Sequence, residues 1–543
     1  MTFAISASEK YLSDPSRVPR SPVIAVARPS RKLARRVAQW MLVVLGCAFV
    51  ALVARVGEVT HDAFHEMSLF REFIATGTFP VADVFAYTPT VNPSVHHEWG
   101  TGAILYLATV GTGWGPDGLT VLKAILIGSM WLILYRVARL RGVHPYLFAL
   151  LTITVFPMLW VGFATIRATL FTLLCLSAQL WMHERDRRGH RLWIVGWWCM
   201  LVFWLNLHAG FVVGVGLLGL HAVERFATQW FHTRSFKAAW RSTWHLTLAA
   251  PLVVLALPIN PYGWQYVPYL IKAISMPRPQ IAEWLPLWHT YQPVFTLCMF
   301  GLSIAWLVLA VRRQRMSNLL GLLGLSLCAI LAVKHLRHGS IYSVVWIAYV
   351  PAWMSHTSFG REIVRKIQAC PNLTLRLCQS LAAALMIWSS GYSFGRTTLT
   401  GDATRQIACY PIDAVTYLAE HNFRGNLLTP FHAGAYVSWR MYPEVKVSLD
   451  GRYEVAYAPP VFEEHWEFFE ARPEWIHLLD KYAHDAILVH QSAKVRPQLE
   501  IFRSLSPEQL PTREPWQFVY EDDAYVILSR PDVSLPYQDR RTR

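Results

Sequence analysis

The chain has 543 residues, of which 54% are hydrophobic and only 16% are charged. Soluble domains carry roughly 25% charged residues, so this deficit excludes an ordinary soluble protein and favours a lipid environment. The net charge of +15 comes largely from basic clusters that adjoin apolar runs, namely RKLARR (31–36), HERDRRGHR (183–191), RRQR (312–315) and GREIVRKIQ (360–368). Such placement is typical of the bias that keeps basic loops in the cytoplasm, and it argues against a nucleic-acid partner.

The first 36 residues are rich in Pro, Ser and Arg and lack the apolar core of a cleavable signal peptide. We predict that residues 1–36 form a disordered cytoplasmic tail. Apolar runs then follow one another through a predicted transmembrane domain at 37–396. Since a spanning helix needs about 20 mostly apolar residues, we expect about 11–13 spans.

One stretch of this domain conflicts with a simple topology. Four full crossings between residues 98 and 182 would place the basic loop 183–191 outside. One segment there is therefore predicted to be re-entrant, short or split. Pro157 marks a plausible break, because proline interrupts the hydrogen bonding of a helix.

Residues 56–97 form the predicted first extracytoplasmic loop, which begins with EVTHDAFHEMSLFREF (58–73) and leads into HHEW (96–99). Asp62 and Glu66 are spaced i, i+4, as are His61 and His65, so a helix would show an acidic pair and a histidine pair on neighbouring faces. Such groups can act as a general base or hold a divalent cation. The same spacing also fits a solvated loop anchored by histidines at the membrane interface.

Further polar residues lie at the predicted outer ends of later spans: Asn206 and His208 in WLNLHAGF, Asn260 in LPINPYGW and Glu283 in IAEWLP. Polar groups at one membrane depth are costly unless they face a cavity, so their common depth indicates a site. Each also has a structural interpretation. Asn260 before a proline is an ordinary helix stop, and His208 can satisfy a neighbouring carbonyl.

Cations also stand at the ends of spans, namely Arg167, Lys334, His335, Arg337 and His338. A lipid phosphate needs cations, preferably bidentate ones, and Arg337 near the outer face is the best placed of these. Pairing with ordinary lipid headgroups is the alternative. The cysteines lie mostly in or beside apolar runs without metal-ligand spacing, so they predict neither a disulfide framework nor a zinc site.

From residue 400 to 543 the pattern changes to that of a soluble α/β domain, predicted to be extracytoplasmic. Strands are predicted at VKVSLD, AILVH, WQFVY and AYVILSR, helices at PIDAVTYLAEH and PEWIHLLDKY, and a hairpin turn at EDDA. Asp450 and Arg452 follow the first of these strands. They can brace a turn or contact an acceptor glycan, since strand ends commonly carry sites.

The order Asp62, His65, TGTFPVADVFAYT (76–88) and HHEW resembles the first extracytoplasmic loop of the GT-C fold glycosyltransferases. The chain is most similar to a group of uncharacterised bacterial membrane proteins of this type. WLNLHAGF, LPINPYGW, IAEWLP and FHAGAYVSWRMYPEVKVSLDGRYEVAY (431–457) resemble further segments of that group.

The resemblance implies a polytopic α-helical GT-C membrane protein with a C-terminal α/β domain, in a bacterial inner membrane. It implies transfer of a sugar from a polyprenyl-phosphate donor to a glycan, lipid or protein acceptor outside the cytoplasm. Asp62 and then Glu98 would be catalytic, with a divalent cation at Asp62 as an alternative to base catalysis. The residues expected to bind substrates are His65, His97, His208, Glu283 and Arg337.

A non-catalytic lipid or glycan transporter, or an envelope-assembly protein, is the rival interpretation. A transporter is expected to place its polar residues across the membrane midplane. A glycosyltransferase is expected to gather Asp62, Glu98, His208 and Arg337 at one face.

Overall fold

The computed structural model describes residues 31–54, 59–276, 281–290, 292–312, 314, 320–369, 372–391, 410–452, 456–504, 512 and 515–541. Up to residue 391 the described chain is helical. The helices are α1 Arg31–Ala54, α2 His61–Thr76, α3 Trp99–Tyr106, α4 Pro116–Leu140, α5 Pro145–Ile153, α6 Phe156–Phe163, α7 Thr169–Arg187, α8 Trp193–Leu207, α9 Phe211–Thr233, α10 Phe236–Thr243, α11 Ala249–Ala256, α12 Tyr266–Ser275, α13 Pro293–Val311, α14 Leu322–Lys334, α15 His338–Ser355, α16 Ser358–Ala369 and α17 Asn372–Gly391.

The helix α1 begins at Arg31, inside the segment predicted as a disordered tail. Residues 31–36 are helical because Arg, Lys, Leu and Ala are all strong helix formers. The rest of the predicted tail, residues 1–30, lies outside the described residues.

Three described helices, α4, α9 and α13, are long and apolar enough to cross a membrane, and the joined pair α5 and α6 can be counted as a fourth. Val43–Ala54, Trp193–Leu207, Leu322–Lys334 and Arg376–Ile387 are shorter apolar helical segments. Large apolar side chains such as Ile125, Val223 and Val294 point outward from the long helices. An outer surface of this kind requires lipid. A polytopic membrane domain is thus confirmed, while the count of about 11–13 spans stays a prediction.

The break expected between residues 98 and 182 occurs between α5 and α6, whose axes meet at 75°. Pro157 stands at the start of α6. Proline is favoured in the first helical turn and cannot continue the hydrogen bonding of α5. Residues 145–163 are therefore a split segment, while the number of crossings between residues 98 and 182 stays a prediction.

The interior of the helical domain is built around α15, which is buried along nearly its whole length. The helices α4, α6, α7, α13 and α14 pack around it. Trp346 and Tyr342 are fully buried there, and they bond to Ser303 of α13 through its carbonyl and hydroxyl oxygens. This central helix begins directly after Arg337, so its N-terminus fixes the position of that cation.

The C-terminal region forms the predicted α/β domain. Its helices are α18 Ile412–Glu420, α19 Gly434–Met441, α20 Pro459–Phe469, α21 His477–Lys481 and α22 Ile501–Ser504, and its strands are β1 Gly425–Leu428, β2 Val445–Val447, β3 Ala486–His490, β4 Gln517–Glu521, β5 Tyr525–Ser529 and β6 Gln538–Asp539. The strand order is β2-β1-β3-β5-β4-β6. The strands β2, β1 and β3 are parallel, and β4 and β5 form the antiparallel hairpin expected at EDDA.

The α/β domain is joined to the first loop of the membrane domain. The N–H of Tyr87 donates to the carbonyl of Val447 (3.1 Å), and the N–H of Val447 donates to the carbonyl of Phe85 (3.0 Å). The loop thus extends the sheet beyond β2. On the other side α2 packs against α19, where Arg71 donates to the carbonyl of Trp439 (2.7 Å).

A buried ion pair fastens the same contact. Arg452 forms a bidentate pair with Asp450 (2.8 and 2.7 Å) and also pairs with Asp83 of the loop. All three side chains are almost completely inaccessible to solvent. This geometry favours the bracing interpretation of Asp450 and Arg452 over acceptor contact.

Candidate functional site

Asp62 lies in the first turn of α2, whose N-cap is Thr60. The Thr60 side chain accepts from the N–H of Ala63 (3.4 Å), which fixes the start of the helix. The Asp62 carboxylate lies 3.3 Å from Nε2 of His61 and 3.6 Å from a terminal nitrogen of Arg167. The side chain is about one third exposed (35%), so the carboxylate can meet a substrate from outside.

Arg167 connects Asp62 to a second carboxylate. It lies in the short turn between α6 and α7, and its guanidinium pairs with both Asp62 and Glu283. Glu283 comes from a 3₁₀ turn at Ala282–Trp284. Arg167 and Glu283 are 116 positions apart in sequence, so this one cation links the distant segments of Asp62 and Glu283. The sequence analysis placed Arg167 only among cations for a lipid phosphate, because the depth of this turn could not be inferred.

Glu98 is the N-cap residue of α3 and forms the second part of the cluster. Its Oε1 lies 3.2 Å from Nε2 of His97 and 3.6 Å from Nε2 of His208. Burial opposes ionisation of this carboxyl, but His97, His208 and Arg337 outweigh it and hold the pKa of Glu98 at about 2. Glu98 is thus a fixed negative charge at neutral pH.

His208 is oriented toward Glu98 by its other ring nitrogen. Nδ1 accepts from the N–H of Gly210 (3.1 Å) and lies 2.7 Å from the hydroxyl of Thr172. Because Nδ1 is an acceptor, the proton of the neutral ring is on Nε2, which faces Glu98. Burial lowers the pKa of His208 to about 4, so the ring is neutral at pH 7.

Arg337 is held beside Glu283 by backbone and ring contacts. Its N–H donates to the carbonyl of Glu283 (3.0 Å), and its guanidinium lies 4.7 Å from the ring centroid of Trp284. His335 is also attached here, with Nδ1 2.6 Å from the carbonyl of Trp284. The guanidinium is close enough to lower the pKa of Glu98. Asp62, Glu98, Glu283 and Arg337 thus belong to one cluster.

Glu66 is a further carboxyl of this cluster that the sequence analysis did not select. It lies one turn after Asp62 on α2, and its Oε2 is buried without a hydrogen-bond partner among the described residues. A side chain at Gly102 of α3 would collide with the Glu66 backbone, so glycine permits this close approach. Burial, followed by the charges of Glu98 and Asp62, raises the pKa of Glu66 well above its usual range. The i, i+4 spacing from Asp62 was the only signal in the sequence.

The structure does not bring His65 to the open part of the cluster. Its side chain is 3% exposed, and its ring packs on Phe85 (5.6 Å) and His96 (5.7 Å). Substrate contact by His65 was expected from the resemblance alone. Its position between α2 and the loop instead indicates packing.

The two asparagines also have structural roles. Asn206 accepts from the indole N–H of Trp99 (2.8 Å) and donates to the carbonyl of Ile259 (2.8 Å), which ties three segments together. Asn260 accepts from the N–H of Tyr262 (2.8 Å) and donates to the carbonyl of Leu257 (2.6 Å). This is the helix stop that the sequence suggested.

A divalent cation at Asp62 finds limited support in these contacts. Across the described residues, no group of three or more His, Cys, Asp and Glu side chains is arranged to hold a metal ion. The guanidinium of Arg167 also lies where a cation beside Asp62 would bind. We therefore derive no step through a metal.

An apolar groove with a volume of about 270 Å³ adjoins the cluster, between the loop at 91–95 and α12. Its lining residues are Val91, Pro93, Val95, Gln265, Pro268, Tyr269, Lys272, Ala273 and Met276. The hydroxyl of Tyr269 lies 2.8 Å from Nδ1 of His97, which contacts Glu98. His97 therefore stands between the groove and Glu98 of the charged cluster.

No protein-family model and no curated protein sequence matches the chain. Solved structures do. The apo structure of ArnT from Cupriavidus metallidurans has a TM-score of 0.51 at 14% identity, covering 92% of this chain and 97% of ArnT. The same enzyme bound to undecaprenyl phosphate has a TM-score of 0.50 at 14% identity, covering 91% of this chain and 98% of ArnT.

The archaeal oligosaccharyltransferase AglB from Archaeoglobus fulgidus, in complex with an inhibitory peptide and a dolichol-phosphate, has a TM-score of 0.50 at 12% identity. The match covers 92% of this chain and 74% of AglB. At these identities the likeness establishes the fold.

Proposed function

Because the chain has the GT-C fold predicted from its sequence, which it shares with ArnT and AglB, we propose that it is a membrane glycosyltransferase. It transfers a sugar from a polyprenyl-phosphate donor to an acceptor on the extracytoplasmic side. The lipid phosphates bound to the two similar enzymes support a donor of this kind.

The observation that carries the proposal is the gathering of charged residues from five separate segments. Asp62, Glu98, Glu283, Arg167 and Arg337 come from the starts of α2 and α3, a 3₁₀ turn, the turn before α7 and the start of α15. Ion pairs and a backbone contact connect Asp62, Arg167, Glu283 and Arg337. The charge of Arg337 in turn acts on the Glu98 carboxyl and lowers its pKa. All lie at or just beyond helix ends, which argues for a site at one membrane face and against a transport path across the midplane.

In the proposed reaction Asp62 is the base. The acceptor hydroxyl oxygen bonds to the anomeric carbon of the donor sugar while its proton passes to the Asp62 carboxylate. The bond between that carbon and the phosphate oxygen breaks, and polyprenyl phosphate leaves with the electron pair. Arg167 and His61 hold the Asp62 carboxylate in place.

Arg337 is the proposed partner of the donor phosphate. Stacking on Trp284 fixes the plane of its guanidinium, and a fixed fork suits a phosphate. The adjoining apolar groove with Lys272 at its rim offers a place for the first isoprene units. Glu98, with a pKa of about 2, is too weak a base to take the acceptor proton, so its proposed role is to orient His97 and His208.

The test is a transfer assay in lipid nanodiscs with a panel of radiolabelled polyprenyl-phosphate sugars and envelope extracts as acceptors. We expect the wild type to transfer label, and Asp62→Asn to lose at least about a hundredfold in rate, the usual contribution of a general base. Glu470→Gln, which changes a carboxylate directly after α20 that pairs with Lys494, is the matched control and should keep full activity.

Each other outcome has a defined meaning. Transfer that persists in a folded Asp62→Asn protein would remove Asp62 from its role and direct attention to Glu66. No transfer by the wild type with any donor would favour the transporter or assembly function. Lipid flipping by the same nanodiscs would then be the decisive measurement.

A divalent cation at Asp62 is tested in the same assay. EDTA should leave the rate unchanged if Asp62 acts as a base beside Arg167. A rate that EDTA abolishes and Mn²⁺ or Mg²⁺ restores would assign Asp62 as a metal ligand instead.

We also propose a bacterial inner membrane location, with the N-terminus in the cytoplasm and the α/β domain in the periplasm. Protease added to spheroplasts should digest a C-terminal tag and spare an N-terminal one. The reverse pattern would overturn this orientation.

A further inference from the structure

The carboxyl ends of three parallel strands lie on the side of the α/β domain that faces Asp62. The strand β1 is central, with β2 on one side and β3 on the other. From β1 the chain passes first to β2 on one side, and after β2 it crosses to β3 on the other side of β1. In open α/β sheets, ligands bind outside the carboxyl ends at such a switch point.

This switch point carries two imidazoles. His432 follows β1, and its Nε2 lies 3.0 Å from the hydroxyl of Tyr525. His490 ends β3, with its ring 6.4 Å from that of His432 and 4.9 Å from that of Tyr525. Nδ1 of His490 accepts from the N–H of Ser492 (3.1 Å), so the ring proton is on Nε2.

The same edge reaches the proposed base through His61. The His61 ring lies 5.8 Å from the ring of Phe431, the residue before His432. Its Nε2 lies 3.3 Å from Asp62. A side chain at Gly451, which follows β2, would overlap the His61 ring, so the two domains are in direct contact here. His61, His432 and His490, called the histidine row below, thus lead from Asp62 along the sheet edge.

The chemistry of the histidine row suits neutral groups. Burial, then the neighbouring His490 and His61, lowers the pKa of His432 to about 4, so this ring is uncharged at pH 7. Ser492 adds an exposed hydroxyl, and the buried Tyr525 hydroxyl bonds to His432. The nearby cation Arg452 is paired with Asp83 and Asp450. Neutral donors and acceptors beside aromatic rings suit sugar hydroxyls and sugar faces, whereas a phosphate would require cations.

We propose that the histidine row binds the acceptor, that the acceptor is a hydroxyl-rich carbohydrate, and that His432 and His490 determine its specificity while one of its hydroxyls meets Asp62. This proposal rests on the proposed glycosyl transfer. It goes further by assigning the acceptor class and the residues of the α/β domain that select it.

The experiment uses full-length protein in nanodiscs and an envelope glycan fraction separated by anion exchange into neutral and phosphorylated pools. The His432→Ala/His490→Ala double variant should raise KM for the neutral pool about tenfold, as expected for two lost neutral hydrogen bonds, with little change in kcat. Donor binding should be unchanged. His477→Ala, an exposed histidine on α21, should behave as the wild type.

A conservative variant distinguishes acceptor binding by His432 from a purely structural role. His432→Gln retains a side chain that can donate and accept hydrogen bonds. It should therefore keep most of the affinity for the neutral pool that His432→Ala loses. An unchanged KM in the double variant, or a loss that falls on the donor instead, would overturn the proposal. Preference of the wild type for the phosphorylated pool would overturn the assigned acceptor class.

Failure of the inference and failure of the proposed function are separable. Binding of the two pools is also measured by calorimetry with Asp62→Asn protein, which needs no turnover. Neutral-pool binding that depends on His432 and His490 would support the row even if no donor were found. Active wild-type protein whose double variant binds normally would refute the row alone.

Discussion

Glu98 and Glu66 are carboxyl groups of one cluster, and their surroundings shift their pKa values in opposite directions. His97, His208 and Arg337 hold the pKa of Glu98 at about 2, while burial beside Glu98 and Asp62 raises that of Glu66 well above its ordinary value of 4.5. When the pKa values of two carboxyl groups are shifted apart in this way, one group serves as a fixed charge and the other as a proton donor. Between pH 4.5 and the raised pKa of Glu66, Glu98 is therefore ionised while Glu66 keeps its proton.

The raised pKa of Glu66 predicts a pH dependence of stability. Below pH 4.5 the carboxyl is protonated in both folded and unfolded chains. As the pH rises further, only the unfolded chain loses the proton, so the free energy of unfolding falls by up to about 1.4 kcal/mol per pH unit until the raised pKa is reached. Glu66→Gln imitates the protonated form and should remove this decline.

Thermal melting of both proteins between pH 5 and 9 measures the difference. Glu72→Gln, at a half-buried position later on the same helix, should decline as the wild type does. Parallel curves for wild type and Glu66→Gln would show that Glu66 is ionised in the folded protein.

The sequence named Asp62 and Glu98 as catalytic candidates and Glu66 only as the i, i+4 partner of Asp62. All three are acidic residues near predicted span ends, and spacing alone cannot separate an exposed carboxyl from a buried one. The burial of Glu66 depends on how closely α2 approaches α3 at Gly102. That approach is a property of packing between helices, which a single sequence does not report.

At the scale of elements, the site depends on loops held by contacts with other elements. The first loop extends the sheet through Phe85 and Tyr87, and Asp83 caps its turn by accepting from the N–H groups of Phe85 (3.0 Å) and Ala86 (2.7 Å). The start of α2 is pressed against the segment after β2. Movement of either element would shift the carboxylate that we propose as the base.

Gly451→Ala tests this dependence. The added Cβ would overlap the His61 ring, so His61 must move and with it the arrangement around Asp62. A displacement of about 1 Å at a reacting group costs on the order of a hundredfold in rate. We expect such a loss in the transfer assay.

The fold should survive the change, because the ring has room on its exposed side. Gly216→Ala on α9, whose added Cβ would meet nothing within 4 Å, is the matched control. Full activity in Gly451→Ala protein would show that His61 can move without effect on Asp62.

At the scale of the whole molecule, the membrane and α/β domains form one structure. Arg452 lies between Asp450 of its own domain and Asp83 of the loop, and all three are buried. Removing one member of a buried ion pair leaves uncompensated charge and costs about 3–5 kcal/mol. The guanidinium of Arg452 therefore makes a large contribution to the contact between the domains.

Arg452→Met should loosen the contact between the domains. We expect a lower melting temperature and new protease cleavage in the loop between residues 77 and 97. Arg424→Met, at an exposed pair with Glu444, should change neither. Adding Asp83→Asn to Arg452→Met should restore part of the stability, and its failure to do so would contradict the charge argument.

Much of this architecture was predictable from the sequence, but the joining of its halves was not. Apolar runs predicted the helical domain, and β-branched runs predicted β2, β3, β4 and β5. The strand β1, Gly425–Leu428, was missed because its four residues carry little pattern. The pairing of Asp83 with Arg452 spans 369 positions, and no local signal encodes a contact at that separation.

The first loop is synthesised well before the sheet that it extends. The loop leaves the ribosome some 369 residues before Arg452. At about 5–20 residues per second, this is a delay of roughly 20–70 seconds. During that interval the loop has no sheet to pair with, and the start of α2 lacks its contact with the segment after β2. A chain whose translation stops before β2 would carry the proposed base on a helix that lacks its contacts with the α/β domain, so such products should be inactive and open to proteolytic removal.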